Sequence, residues 1–253
     1  MNNLGFAFAS LLLVSVAGCA ESTEALDTQD TQDSVDLQQE ALSAATSCVL
    51  TTVNLNTVAP FAVLAGSTVT NTGPTTVTGD LGVGPGSAVT GFGPGTVVGT
   101  MHLGDPTAAQ AQADLTVAYN DAAGRTLCPV SVSGNLGGLT LAPGLYKSTT
   151  SLEISSGNLT LDAKGNTKAV FIFQMATTFT TSAGRQVILT NGAKASNVFW
   201  QVGSSATLGT TTIFKGNIMA YQAVTLKTGA TLDGRALARV AAVALDTNTV
   251  TKP

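Results

Sequence analysis

The strongest constraint on the fold is a text that repeats itself. The stretches GSTVTNTGPTTVTG (66–79) and GSAVTGFGPGTVVG (86–99) stand twenty residues apart, with Gly, Ser, Val, Thr, Gly, Pro, Thr, Val and Gly recurring in register. A second series runs through the C-terminal half. Phe179, Leu208, Leu226 and Leu245 each have Thr two positions later, at Thr181, Thr210, Thr228 and Thr247, the last three at nearly equal spacing. Thr178, Thr207, Thr225 and Ala244 stand just before those apolar residues, and Ile213, Leu232 and Val250 recur beyond the next turn. VFIFQM (170–175), VFWQVG (198–203) and NIMAYQ (217–222) make a third column. A period of roughly 18–20 residues holds three short strands and their turns, which is one coil of a β-solenoid. Stacked coils place equivalent residues about 4.7–4.9 Å apart. Inward columns then become Val, Leu, Ile and Phe ladders, and outward columns become ladders of Thr, Ser and Ala.

One segment breaks the pattern. DPTAAQAQADLTVAYNDAAGR (105–125) offers Asp105 as N-cap, Pro106 at the first helical position and Gly124 as stop. Ala108, Ala111, Leu115, Ala118, Tyr119 and Ala122 share one face of this helix, which should pack along the solenoid. The fold class expected is therefore mainly β, a solenoid with one long α-helix alongside.

The chain before the repeats reads differently. Residues 1–19 contain the apolar run LGFAFASLLLVSVAGC, of signal-peptide length and too short for a good membrane span. Val16-Ala17-Gly18-Cys19 resembles a lipobox, which would make Cys19 a lipidated N-terminus, although MNN supplies no basic residue and an ordinary cleaved signal is the alternative. Residues 20–47 form an acidic, Gln- and Thr-rich spacer carrying seven of the fifteen acids and no Lys or Arg. The remaining eight acids face eleven bases, a scattered net charge of about +3 with no basic stripe for a phosphate backbone. Nucleic acid is not an expected partner. Export leaves Cys48 and Cys128 to form a disulfide or to remain as two buried thiols. The folded domain is expected over 48–253.

FAVLAGSTVTNTG, TGDLGVGPGSAVTGF, LGGLTLAPGLYKS, AVFIFQM, NVFWQVGSSATLGT, FKGNIMA and TLKTGATLDGRALA, in that order and with the helix between the second and third, resemble the bacterial and fungal ice-binding proteins, the DUF3494 family. The resemblance covers about 55–250. It implies a right-handed, discontinuous β-helix of triangular cross-section whose N-terminal coils stack out of sequence order on later ones. It also implies adsorption to ice crystals, restraint of their growth, and inhibition of recrystallisation. Some members carry Thr-(Ala/Gly)-x-(Thr/Asn), which occurs here as Thr72-Gly73-Pro74-Thr75 and Thr228-Gly229-Ala230-Thr231.

Thr suits such a surface because one stiff β-branched side chain carries both a methyl and a hydroxyl. Each ordered water costs up to about 2 kcal/mol, so many weak contacts must act together. Two outward tracks compete. The first holds Thr178, Ser205/Thr207, Ala223/Thr225 and Ala242/Ala244; the second holds Thr210/Thr212, Thr228/Thr231 and Thr247/Thr249. The resemblance implies the first, the family's usual ice-binding face, together with the adjoining motif residues Thr72, Gly73, Thr75, Thr228, Gly229 and Thr231. Lys227 and Asp246 are expected to edge it.

Catalysis finds little support. His102 is the single histidine, and Asp80, Glu153, Asp162 and Asp233 do not pair at short spacing, so no paired-carboxylate or calcium pattern arises. Trp200 reads as core and Asn217 as a rung of an internal polar ladder. The expectation is an exported or surface-tethered monomer, without metal or cofactor, whose partner is an ice surface. The rivals are an adhesin-like solenoid that binds cells or glycans, and a polysaccharide-processing β-helix.

Overall fold

The computed structural model describes residues 48–253; the signal segment (1–19), Cys19 and the acidic stretch 20–47 lie outside the described residues. The repeated text forms three-sided coils of parallel strands. One side carries Gly144–Ser148, Phe171–Met175 and Val198–Val202, in register as Gly144↔Phe171↔Val198. The long strands Ile213–Ala220 and Thr231–Ala238 bend from a second side onto this one, so Phe199 pairs with Asn217 and Ile218 with Ala236. A third side, called the Thr side below, holds eight stacked strands.

The period is not uniform. The coils that lead from Gly144 to Phe171 and from Phe171 to Val198 are half as long again as the coil from Ile218 to Ala236. The longer coils carry the extra turns AKGNTKA and NGAKASN.

Strand order and sequence order part at the N-terminus. Phe61–Ala65 packs beside Thr231–Ala238 with Val63↔Ala236, and Thr68–Thr72 lies beside Val243–Asp246 with Thr70↔Ala244. Asp80–Val83 and Met101–Leu103 then extend the stack outward. The discontinuous stacking implied by the resemblance is thus present. The chain must cross from this end to begin the coil at Val130–Ser131, and the helix α1 (Pro106–Gly124) makes that crossing. Asp105 caps it, its carboxylate accepting the Ala108 N–H at 2.8 Å. The face that packs is the expected one: Ala108, Ala111, Leu115, Ala118, Tyr119 and Ala122 are buried.

Packing comes in two layers. Inside the coils Tyr146, Phe173 and Trp200 sit in register, with ring centroids 5.2 Å and 4.0 Å apart along the stack, and Phe179 and Phe214 lean on Trp200 at 4.9 Å and 5.0 Å. Between the sheet and α1, Ile172, Phe199, Met219, Leu237 and Leu64 meet Leu115 and the helix alanines. Polar groups are fastened across the same seam. Gln174 Nε2 donates to the Ala122 carbonyl at 2.7 Å, closing the helix C-terminus, and Gln201 donates to the Tyr119 hydroxyl at 2.8 Å. Asn217 is fully buried and forms the expected polar rung, accepting from Arg235 of the next coil at 2.8 Å.

The Cys48–Cys128 disulfide is formed, with the Cα atoms 5.7 Å apart. It joins the segment leading into the domain to the residues just after α1.

The turn at Asp162 ties consecutive coils. Its carboxylate accepts from Lys164 Nζ at 2.9 Å, the Lys164 N–H at 2.8 Å and Asn191 Nδ2 at 2.7 Å, which together hold its pKa at about 2 against an ordinary 3.8. A folded-state value below the unfolded one stabilises the fold above the unfolded pKa, and the gain is lost as pH falls toward the folded one. Thermal melting should therefore be level from neutrality to about pH 5 and fall between about pH 4 and 2. Asp162→Asn should lower the plateau and flatten that fall; an equally steep fall in the variant would contradict the assignment.

Candidate functional site

Two sides of the coil present outward ladders, because the helix covers the other. On the Thr side the outward residues register as Thr90, Thr70, Ala244, Thr225, Thr207 and Thr180, each on the neighbouring strand. Six rungs at strand spacing span about 24 Å. A parallel column two residues earlier contains Ala88, Thr68, Ala242, Ala223, Ser205 and Thr178, with the Val224, Ala206 and Phe179 N–H groups donating to the carbonyls of Ala242, Ala223 and Ser205. These twelve residues are seven Thr, four Ala and one Ser, and none is charged. Glu153, paired with Thr180, ends the uncharged stretch.

What keeps this surface flat lies beneath it. Between the outward residues, Val69, Val243, Val224, Ala206 and Phe179 point inward and are buried. Strand alternation thus fixes every outward residue.

The other ladder begins Thr96, Thr76, Thr249, Thr231, Ile213. Its second column reads Val98, Thr78, Thr251, Asp233 and Lys215, with Lys215 and Asp233 paired at 3.1 Å. Long charged side chains stand up from it, so this side is neither uniform nor flat. The contrast favours the Thr side.

Between the two sides runs a corner where the backbone turns left-handed in five successive coils, at Gly184, Thr211, Gly229, Thr247 and Gly73, with φ of 69°, 54°, 70°, 54° and 72°. Gly is the natural occupant of that region. Thr211 and Thr247 are the β-branched exceptions and alternate with glycines; a Cβ on Gly73 would collide with Thr247 Oγ1.

The residues expected from sequence distribute as follows. Ser205, Thr207, Ala223, Thr225, Ala242 and Ala244 lie together on the Thr side. Thr178 is exposed on the same side but in the earlier column; the residue in line with Thr207 is Thr180, since the coil there is one of the long ones. Thr72, Gly73, Thr228 and Gly229 are at the corner, where Lys227 and Asp246 edge the surface. Thr231 belongs to the other ladder. Thr75 is a correction: it is 1% exposed, its hydroxyl accepts the Asn248 N–H at 3.0 Å, and it cannot touch a flat surface. Thr68, Thr70, Ala88 and Thr90 are not among the expected residues of this side. Their repeat is visible in the sequence, but only stacking on a strand from the opposite end of the chain puts them in line.

Nothing in this arrangement offers an enclosed reactive centre. Among the described residues no three His, Cys, Asp or Glu side chains gather as metal ligands. His102 pairs with the capping Asp105 at 2.8 Å.

A sequence model described as ice-binding-like matches residues 63–251, most of the chain. The chain belongs to this family. An ice-binding protein of Nostoc sp. (strain HG1) is 48% identical over 199 residues, which is 78% of this chain and 72% of the relative. An ice-binding protein of Flavobacterium frigoris (strain PS1) is 36% identical over 216 residues, 79% of this chain and 76% of the relative. Among solved structures, an ice-binding protein from an Antarctic biological consortium superposes with a TM-score of 0.80 at 55% identity, over 80% of this chain and 92% of that one. The ice-binding protein of the Antarctic ascomycete Antarctomyces psychrotrophicus gives 0.75 at 43% identity, over 79% and 98%. The discontinuous β-helix with one helix is therefore the fold of an ice-binding-like family member.

Proposed function

We propose that this chain binds ice, adsorbing through the Thr side and so restraining crystal growth and recrystallisation. The observation that carries the reading is the pair of uncharged columns, six rungs deep, on a rigid sheet. Ice presents neither charge nor pocket. A surface that orders water over a wide area must therefore be regular, flat and free of ions, and must carry methyl and hydroxyl groups together. The names of the relatives point the same way.

No cofactor enters the reading, and a single copy of the chain presents the whole surface. Export is supported by the apolar segment ending at Cys19, with a lipid on Cys19 tethering the domain through the acidic spacer. In a bacterial host Cys19→Ala should move the chain out of the membrane fraction; a native chain already absent from that fraction would refute the tether. The function itself is tested by recrystallisation. At micromolar concentration the domain over residues 48–253 should hold ice grains small during annealing below freezing. Grains that coarsen as fast as in buffer would overturn the reading.

A further inference from the structure

The corner beside the Thr side contains one residue that breaks a Thr column. The carbonyls of Thr210, Thr228, Asp246 and Thr72 accept the N–H groups of Gly184, Thr211, Gly229 and Thr247 in turn, so these four occupy equivalent positions in successive coils. Three are Thr and one is an acid. Beside two columns that carry no charge, an acid in a Thr column calls for a reason.

Its carboxylate is engaged by threonines on both sides. Thr228 Oγ1 donates to Asp246 Oδ2, and Thr247 Oγ1 donates to Asp246 Oδ1 at 3.1 Å. The backbone is equally fixed: the Asp246 N–H donates to Asn248 Oδ1 at 2.6 Å, and the buried Asn248 amide donates to the carbonyls of Lys227 and Ala230 at 3.0 Å each. The four ion pairs among the described residues all involve other acids. The charge faces Thr hydroxyls, with Lys227 as the charged neighbour lining the same shallow groove as Thr70, Thr72, Thr225 and Ala244. That groove runs into the ladder.

We propose that Asp246 is a positioning residue of the ice-binding surface, fixing Thr228 and Thr247 so that the corner joins the two flat columns. The inference rests on the ice-binding reading above. A hydroxyl that donates to a carboxylate has its hydrogen and its χ1 set, leaving its lone pairs and methyl in fixed positions for water. A free Thr at a turn would have to be ordered on contact with the crystal, which weakens adsorption. A carboxylate suits this task because each of its two oxygens accepts one hydroxyl and neither competes as a donor.

The test is a mutant cycle in thermal hysteresis, with Asp246→Ala, the pair Thr228→Val/Thr247→Val, and all three changes together. If Asp246 acts through the two threonines, the first two proteins should each lose about threefold in activity and the triple variant no more. Three-bond couplings should show one χ1 rotamer for Thr228 and Thr247 in the native chain and averaging in Asp246→Ala. Unchanged hysteresis in Asp246→Ala, losses that multiply in the triple variant, or couplings that do not change would each overturn the proposal. A native chain inert toward ice overturns both readings, whereas an active chain indifferent to Asp246→Ala overturns this one alone.

Discussion

Thr225→Tyr should reduce thermal hysteresis about tenfold or more while leaving the melting temperature within a few degrees of the native value. Thr225 sits in mid-ladder, between Thr207 and Ala244. A phenol ring there would lift the crystal off the rungs on either side. A water-mediated contact is worth no more than a direct hydrogen bond, about 0.5–1.5 kcal/mol net, so losing a few neighbouring contacts suffices for a tenfold loss. The side chain points outward from a buried strand, so the core is untouched. Thr70→Tyr should do the same, and this is the sharper case, since Thr70 joins the surface only through its pairing with Ala244. Thr249→Tyr, on the other ladder, should leave hysteresis nearly native. Equal losses in all three would mean that the face is misassigned.

Replacing both cysteines, as Cys48→Ser with Cys128→Ser, should cost the domain about 4–5 kcal/mol, the loop-closure value for a bond spanning 80 residues. For a domain of this size that lowers the melting temperature by roughly 10–15 °C. The bond is not alone in holding the entering segment. Arg125 donates to the carbonyls of Thr51 and Thr52, and the Thr57 hydroxyl donates to Asp114 at 2.7 Å. Neither contact touches the Thr side. The variant should thus keep its hysteresis near freezing while melting much earlier, as followed by calorimetry with and without reductant. A melting temperature unchanged by reduction would show that these polar contacts alone close the segment.

Much of this is legible in the sequence. The helix is readable to the residue, because Asp105, Pro106 and Gly124 are local signals and the buried face follows from helical periodicity. The inward columns are readable because apolar residues alternate with Thr. Two things are hidden. The long coils place Thr180, not Thr178, beside Thr207, and counting along the shorter period does not reveal where a longer turn is inserted. The N-terminal strands carry their own repeat, yet nothing local says that Thr70 meets Ala244; that is decided by burial of the open end of the C-terminal stack. Thr75 misleads for a related reason. A four-residue motif specifies a turn, but the turn after Gly73 is one residue longer than those after Gly229 and Thr247, so Thr76, not Thr75, falls in line with Thr249 and Thr231 while Thr75 turns inward.

The most direct measurement is uptake into growing ice. Fluorescently labelled native domain, Thr225→Tyr and Thr249→Tyr would each be held against a slowly growing ice hemisphere, with the circular dichroism of each checked beforehand. The account predicts that the native domain and Thr249→Tyr enter the ice while Thr225→Tyr stays in the liquid. A folded native domain left wholly in the liquid would contradict it.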